Sequence, residues 1–548
     1  MHFAVALGVA AATAVLTGAL IVGDSVRGSL ARLVLDRLGR IDDQLVADRF
    51  FRVALKDELA SRSEFAWDYE RAAAALLIPG GTVERSGGGD SAGDGESGAR
   101  RAGGVLVLGV APDFWEFGSD GPRPRVSPGD DEIVLNEPLA ADLGAKIGDT
   151  VLLRLPKSND VPADSPLGRK TDRIRTLADL KVVDIIPASG LGRFSLRSSQ
   201  HFPRNAFVSL EVMQRAIGRP ERANALFLAA KNPLAARDPQ ALLAPQLTDF
   251  GLAIRRVRQT FKPPQGGDEQ VIHDYFQLSS DRLMLEPAVE QAALRAFKDE
   301  RPQAVLTYLA TSMLLAGDAP AEKAPDAQPP GAQPKDSQPA AARSTSSQPA
   351  VASPTVIPYS MISAVDSRAG FGPLVDDAGA PLGPLADDEI VLNSWAAADL
   401  GAEVGQKVKV VWFAPETTHA TVLEESAEFR VRAIVRVTEP IDGFHGDRPP
   451  TFDERPTLAN DPHLTPTVEG VTDQDTISNW DPPFPYDQKR VRPRDDDYWS
   501  NHRTTPKAFV SLAAGRARWG SRFGQTTSIR VPAREGLGEA ELERRLIA

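Results

Sequence analysis

The chain has 548 residues, of which 25% are charged and 42% hydrophobic, a composition that fits two to four globular domains. Its formal net charge is −12, and an acidic chain is a poor partner for a polyanion, which disfavours nucleic-acid binding. It contains no cysteine, which excludes disulfides, thiolate metal sites and a cysteine nucleophile.

The N-terminus predicts a membrane anchor. Residues 3–23 carry no charge, and at about 1.5 Å per residue this run spans a hydrocarbon core of about 30 Å. A cleaved signal peptide is the competing interpretation, but only His2 precedes the run, and the run is long for a signal sequence. We therefore predict a transmembrane helix over residues 1–24. Apolar side chains at helical spacing predict a stalk over residues 25–46.

Two tracts of unusual composition predict disordered loops. Residues 85–104 are rich in Gly, Ser and charge, and residues 317–354 are rich in Pro, Ala, Gln and Ser. Neither tract buries enough apolar surface to offset the entropy of ordering. Each stands between two apolar, strand-like runs, so we interpret both as strand-to-strand loops inside a unit. Long surface loops cost little, because closure entropy grows slowly with length.

Two phrases occur twice and predict an internal duplication. DDEIVLN stands at residues 130–136 and 387–393, and AFVSL at residues 206–210 and 508–512. The two DDEIVLN phrases are 257 residues apart, and the two AFVSL phrases are 302 residues apart. The second copy therefore contains about 45 additional residues between its two phrases. We predict a first α/β unit, a connector, a second α/β unit and the start of a truncated helix, over residues 47–230, 231–278, 279–532 and 533–548.

The DDEIVLN phrase predicts a strand that turns into a short helix. Asn136 and Asn393 are good N-cap residues for that helix. The carboxylates of Asp130, Asp131 and Glu132 offer a metal-site interpretation. Successive strand side chains alternate between faces, so three in a row do not all face one ion. We interpret the phrase as scaffolding and predict no metal site there.

The stretch TGALIVGDSVRGSLARLVLDRLGRID, with the phrase VLN…LA..LG…GD.V.L in both copies, resembles the FtsX-like, MacB-type permease subunits of ABC transporters. The resemblance implies the α+β class: a transmembrane helix with a stalk, then an extracytoplasmic, MacB-like region of two related mixed α/β units. It implies a location on the periplasmic side of the inner membrane, a cytoplasmic ABC ATPase as partner, and permeases that work as homo- or heterodimers. The positive-inside rule points the other way, because four arginines follow the helix at Arg27, Arg32, Arg37 and Arg40; we follow the family.

The family continues into three further membrane helices, whereas this chain stops at EGLGEAELERRLIA; the resemblance therefore implies a fragment. The sequence has no Walker A motif, so we expect a non-catalytic subunit without a cofactor, and ATP hydrolysis in a partner. The alternative is a membrane-anchored extracytoplasmic binding or scaffold protein without transport activity. Lipoprotein, lipid, peptide and drug all stay open as substrates.

Four further patterns have a functional and a structural interpretation. Ser91 stands in the nucleophile-elbow pattern GDSAG, but inside a Gly-rich tract where no strand-to-helix turn presents it. An acidic loop surrounds His445 and contains Asp442, Asp447 and Asp453. In the functional interpretation its oxygen atoms bind a hard cation. In the structural interpretation it is a solvated run of charges. The loop 479–487 carries three aromatic residues: Trp480, Phe484 and Tyr486. In the functional interpretation they contact a partner or a glycan. In the structural interpretation they pin the loop to its own core. Residues 518–524, RWGSRFG, fit packing better than phosphate binding.

Overall fold

The computed structural model describes residues 2–85, 100–118, 123–156, 174–196, 201–235, 237–317, 355–368, 371–376, 379–416, 422–446, 448–482 and 484–547. The described chain divides into two compact units, with the boundary in the sequence between Gly251 and Leu252. Each unit combines one mixed sheet with helices, which is the α+β class that the sequence predicts.

The first unit begins with α1 (His2–Leu38) and carries an eight-stranded sheet. Its other elements are β1 (Asp43–Arg52), α2 (Ala54–Ala60), α3 (Phe65–Asp68), β2 (Tyr69–Arg85), β3 (Arg100–Val110), β4 (Glu132–Asn136), α4 (Glu137–Leu143), β5 (Thr150–Pro156), β6 (Ile174–Ile186), β7 (Asn205–Ser209), α5 (Leu210–Ile217) and β8 (Arg222–Ala230). The strand order is β1-β8-β2-β3-β7-β4-β6-β5, and β5 pairs back onto β2, so six strands close a ring.

The second unit repeats this plan with one more strand. Its elements are β9 (Leu252–Phe261), β10 (Gln270–Ser280), α6 (Pro287–Ala296), β11 (Gln303–Leu315), β12 (Ile357–Ala364), β13 (Glu389–Asn393), α7 (Ser394–Leu400), β14 (Lys407–Phe413), β15 (Glu424–Val435), α8 (Pro493–His502), β16 (Ala508–Val510), α9 (Leu512–Trp519), β17 (Ser528–Pro532) and α10 (Glu539–Ile547). The order is β12-β16-β13-β15-β14-β11-β17-β10-β9, and β12 pairs with β11 to close the corresponding ring.

The two sheets match residue by residue at the repeated phrases. Leu135 pairs with Ala206 in the first unit, and Leu392 pairs with Ala508 in the second. In each unit the AFVSL strand runs parallel to one neighbour and antiparallel to the DDEIVLN strand. The prediction of two similar units is confirmed.

The strands that flank each unusual tract pair with each other. β2 pairs antiparallel with β3, and β11 with β12, so each tract joins neighbouring strands of one sheet. Residues 86–99 and 318–354, and with them most of both predicted loops, lie outside the described residues. Residues 100–104 differ from the prediction: they extend β3, because Arg100 and Arg101 pair with the end of β2.

Two further elements differ from the sequence interpretation. The helix ends at Leu38 instead of continuing to residue 46, because Gly39 has a φ of 58° and stops it. β9 and β10 lie within residues 231–278, which the sequence analysis assigned to a connector. They belong to the second sheet, where β10 pairs with both β9 and β17.

Candidate functional site

Helix α1 is long enough to cross a bilayer. Residues Ala6–Ser29 have a mean hydropathy of 2.0, and none of this stretch is buried within the protein. At about 1.5 Å per residue it is roughly 36 Å long. Apolar side chains that the protein leaves uncovered over such a length need another apolar environment. A lipid bilayer supplies that environment.

The C-terminal end of α1 is fixed in the core of the first unit. Arg40 N donates a hydrogen bond of 2.8 Å to Phe117 O. Ile41 is buried, and Leu38 packs beside it, in a cluster that contains Phe114 and Phe117. The C-terminal end of the helix therefore lies in a packed core.

Gly39 makes this close approach possible. A Cβ atom at this position would lie 2.3 Å from Phe117 O, and the φ of 58° is unfavourable for residues with a side chain. Gly39 is thus the point at which the helix and the first unit join.

In the first unit, Asn136 closes the corner that the DDEIVLN phrase predicts. Its Oδ1 accepts hydrogen bonds from Leu139 N at 3.2 Å and from Asn205 N at 3.0 Å. Its Nδ2 donates to Gly192 O at 2.9 Å and to Pro203 O at 2.7 Å. One fully buried side chain therefore makes four hydrogen bonds to three segments of the chain, as a scaffold residue does.

In the second unit, Asn393 has the same role with partly different partners. Its Oδ1 accepts from Ala396 N at 2.8 Å. Its Nδ2 donates to Tyr498 Oη at 2.9 Å and to Pro506 O at 3.1 Å. The prediction that both asparagines begin equivalent short helices is confirmed.

Replacing Asn136 or Asn393 by alanine is expected to destabilise its own unit by about 2–3 kcal/mol, because a cap is lost and buried polar groups lose their partners. Chemical denaturation followed by hydrogen exchange of each unit measures this. The exposed Asp131→Ala variant is the control and is expected to change the stability by less than about 0.5 kcal/mol. Equal effects at Asn136 and Asp131 would contradict the scaffold role.

The carboxylates of the phrase do not converge on one point. Asp130 Oδ1 lies 2.9 Å from Arg215 Nη2, while Glu132 Oε2 accepts from Gly129 N at 2.8 Å. Among the described residues, no group of three or more His, Asp or Glu side chains is placed to hold a metal ion.

A buried ionic cluster lies in the second unit, and sequence reasoning missed it. Arg530 Nη2 is 3.1 Å from Asp461 Oδ2, and both side chains are almost completely buried. Tyr275 Oη donates to Asp461 at 3.0 Å, and its ring lies 3.9 Å from the Arg530 guanidinium carbon. Burial alone would raise the pKa of Asp461, but His273 and Arg530 hold it below its usual range. Burial lowers the pKa of His273.

The first unit places an aromatic ring where the second places this arginine. Arg530 pairs with Gln303 on β11 as Phe227 pairs with Ala73 on β2, and both pairs occupy the same register of the shared sheet. Phe227 packs with other aromatic side chains such as Phe194, at 5.5 Å between ring centroids. In the sequence, the one signal of the buried ionic cluster is that Arg530 replaces Phe227 at equivalent positions of the two copies.

Lys507 is a second buried charge beside the repeated corner. It occupies the position of Asn205, and its Nζ lies 4.6 Å from the Trp395 ring centroid and 3.9 Å from Asp495 Oδ1. Burial lowers the pKa of Lys507 to about 8, with Asp495 opposing the shift.

The second unit is therefore expected to become more stable as the pH rises from about 8 to 10.5. Below pH 8 both the folded and the unfolded lysine are protonated, and the folded state carries the full cost of burial. Between the two pKa values the unfolded chain binds the additional proton, so stability increases with pH, by up to roughly 3 kcal/mol. Chemical denaturation at a series of pH values from 7 to 10.5 measures the free energy of unfolding. This energy should rise with pH in the parent protein and in the control Lys298→Met, whose lysine is exposed. It should not rise in Lys507→Met. Parallel pH profiles for all three proteins would contradict it.

The structure describes only some of the remaining sequence candidates. Ser91 and Asp447 lie outside the described residues. In the acidic loop, Asp442 bonds His445 Nε2 at 2.8 Å and pairs with Arg448, which compensates its charge.

The aromatic loop is pinned to its own core. Trp480 and Phe484 are 5% and 6% exposed, and the Trp480 ring packs at 5.0 Å from Trp499. In RWGSRFG, Trp519 is buried and Arg518 lies 4.9 Å above the Phe429 ring, which is packing.

No protein-family model matches this chain, and no curated protein matches it in sequence. Solved structures match parts of it. The periplasmic region of MacB from Actinobacillus actinomycetemcomitans shares 10% identity over 37% of this chain and 82% of its own, with a TM-score of 0.22. The extracellular domain of the ABC-type transporter YknZ from Gram-positive bacteria shares 8% identity over 33% of this chain and 74% of its own, with a TM-score of 0.20. A domain described as that of a permease protein from Porphyromonas gingivalis shares 12% identity over 38% of this chain and 80% of its own, with a TM-score of 0.22. All three TM-scores lie well below 0.5, and we derive the function from the chain's own structure.

Proposed function

We propose that this chain is the membrane-anchored extracytoplasmic part of an FtsX-like, MacB-type permease subunit of an ABC transporter. The observation that supports the proposal is α1: an apolar helix of membrane-spanning length, uncovered along the span Ala6–Ser29 and fixed at its end in the core of the first unit. An uncovered apolar surface of this length favours contact with lipid over contact with water.

In this mechanism the chain does not hydrolyse ATP. A cytoplasmic ATPase closes on ATP and moves the membrane helices of a permease pair, as a homo- or heterodimer. Helix α1 then carries the first unit with it, a step that the hydrogen bond from Arg40 N to Phe117 O and the close packing at Gly39 support. The two units lie on the periplasmic side of the inner membrane, where they handle a substrate or a partner protein.

Cysteine labelling tests the orientation, since the chain has no cysteine of its own. Ser63→Cys places a thiol on an exposed part of the first unit, and His2→Cys places one at the other end of α1. A membrane-impermeant maleimide is expected to label Ser63→Cys in intact cells and His2→Cys only after permeabilisation. The reverse pattern would reject the extracytoplasmic location.

The competing function is a membrane-anchored binding or scaffold protein. The coding sequence after Ala548 and the purified complex distinguish the two. Three further membrane helices in frame, and a co-purifying ATPase whose activity changes in Gly39→Val, support the permease. An immediate stop codon without such an ATPase would favour the scaffold.

A further inference from the structure

The second unit carries an addition that attaches to β10. This inserted segment, residues 436–507, joins β15 to β16 and is much longer than the connection between β6 and β7 in the first unit. Gln277 Nε2 donates to His463 O at 2.8 Å, and Tyr275 Oη donates to Asp461 Oδ2 at 3.0 Å. Residues 460–464 are therefore the part of the inserted segment that these two bonds hold on the strand.

His273 lies in the same contact. It is two residues from Tyr275 on β10, so both side chains point to the same face of the strand. Its Nδ1 is 3.9 Å from Asp461 Oδ2, and its ring packs edge-on against Tyr275 with 6.3 Å between centroids. The side chain is 4% exposed, and its Nε2 has no hydrogen-bond partner among the residues that the structure describes. A buried polar atom without a partner is costly, which makes His273 the weak point of the contact.

The charges of this contact balance while His273 is neutral. Arg530 Nη2 lies 3.1 Å from Asp461 Oδ2, so one buried carboxylate already neutralises one buried guanidinium. The inserted segment adds the exposed His463, whose charge also acts on Asp461. On the neighbouring strand β9, the residue paired with His273 is the uncharged Gln259. A proton on His273 therefore gives the buried group of Asp461, Arg530 and His273 a net positive charge.

The pKa values give the direction of the effect. Burial lowers the pKa of His273 below its ordinary value of 6.5; Asp461 opposes this shift, and Arg530 adds to it. When the contact opens, water reaches the ring and the histidine regains its ordinary pKa. The open state then binds the additional proton, so the contact keeps its full stability above about pH 6.5 and weakens as the pH falls below that value. Burial opposes ionisation of Asp461, but His273 and Arg530 keep its pKa below the usual range, so Asp461 does not titrate near pH 6.

We propose that acidification detaches residues 460–464 from β10, with His273 as the group that takes up the proton. Detachment lets water solvate the charges of His273 and Arg530, both of which are buried in the closed contact. The inserted segment of the second unit thus contains an acid-sensitive attachment that the shorter connection of the first unit lacks. The device lies within the second unit, so the proposal stands or fails separately from the proposed function.

Hydrogen exchange of the full chain in lipid nanodiscs tests the proposal. Exchange at the amides of residues 460–465, measured between pH 7.5 and 5.5 and corrected for the chemical exchange rate at each pH, gives the equilibrium constant for opening. In the parent protein this constant is expected to rise about tenfold over that range, because only the open state binds the proton with a pKa near 6.5. The amides of β13 are the internal control and should change by less than about twofold.

Two variants assign the proton to its site. His273→Gln keeps a neutral polar side chain at every pH, so its opening constant should not change with pH. His445→Gln removes an exposed histidine of the same inserted segment and should retain the rise of the parent protein. A parent protein without the rise would overturn the proposal before any variant is needed. An equal rise in His273→Gln would overturn it as well, and so would an equal rise at β13, which indicates unfolding of the whole unit.

Discussion

Replacing Asp461 with alanine is expected to lower the free energy of unfolding of the second unit by about 3–5 kcal/mol. The substitution leaves the Arg530 guanidinium, which is 0% exposed, without its counter-ion. It also removes the acceptor of the Tyr275 hydroxyl. A buried charge without a partner is far more costly than the pair, because neither water nor a carboxylate then solvates it.

The measurement is guanidinium denaturation followed by tryptophan fluorescence, to which the second unit contributes five of the seven tryptophans. The matched control removes both charges. Asp461→Leu combined with Arg530→Phe places the aromatic residue of the first unit at this position and should destabilise less than Asp461→Ala alone. A double variant that is less stable than the single one would show that the charges themselves stabilise the unit.

Replacing Gly39 with valine is expected to detach α1 from the first unit. A residue with a side chain costs roughly 1–2 kcal/mol in this left-handed conformation, and the Cβ atom would also overlap Phe117 O, 2.3 Å away. The bond from Arg40 N to Phe117 O and the packing of Ile41 should then be lost together. Hydrogen exchange at residues 38–42 measures this, and we expect it to accelerate by at least about tenfold.

Gly80→Val is the control for Gly39→Val. Gly80 also has a positive φ, 81°, but no atom lies within 4 Å of its Cβ position, so the variant introduces backbone strain without the clash. Unchanged exchange at residues 38–42 in Gly39→Val would show that the junction does not depend on this contact.

Local signals explain what the sequence predicts correctly. Asn136 and Asn393 cap their helices through their own side chains, and Gly144 and Gly401 end the helices at φ 58° and 63°. These effects act within a few residues, so a short phrase contains them. The duplication was visible for the same reason, since the repeated phrases form the same corner in both sheets.

Long-range contacts explain what the sequence could not predict. Asp461 meets Arg530 only after the inserted segment has folded onto β10, and no spacing along the chain indicates that contact. The end of α1 likewise depends on Phe117, which is far from Gly39 in sequence. The sequence predicts a connector at β9 because three arginines obscure the apolar alternation of an edge strand.

The proposed mechanism requires that α1 carries the first unit rigidly, and one distance measurement tests this directly. Spin labels at Ser25→Cys and Ser63→Cys, in the otherwise cysteine-free chain in lipid nanodiscs, report the distance between the helix and the unit by pulsed electron paramagnetic resonance. If the junction is rigid, we expect a single narrow distance distribution that broadens in Gly39→Val. A broad distribution in the unmodified junction would contradict it.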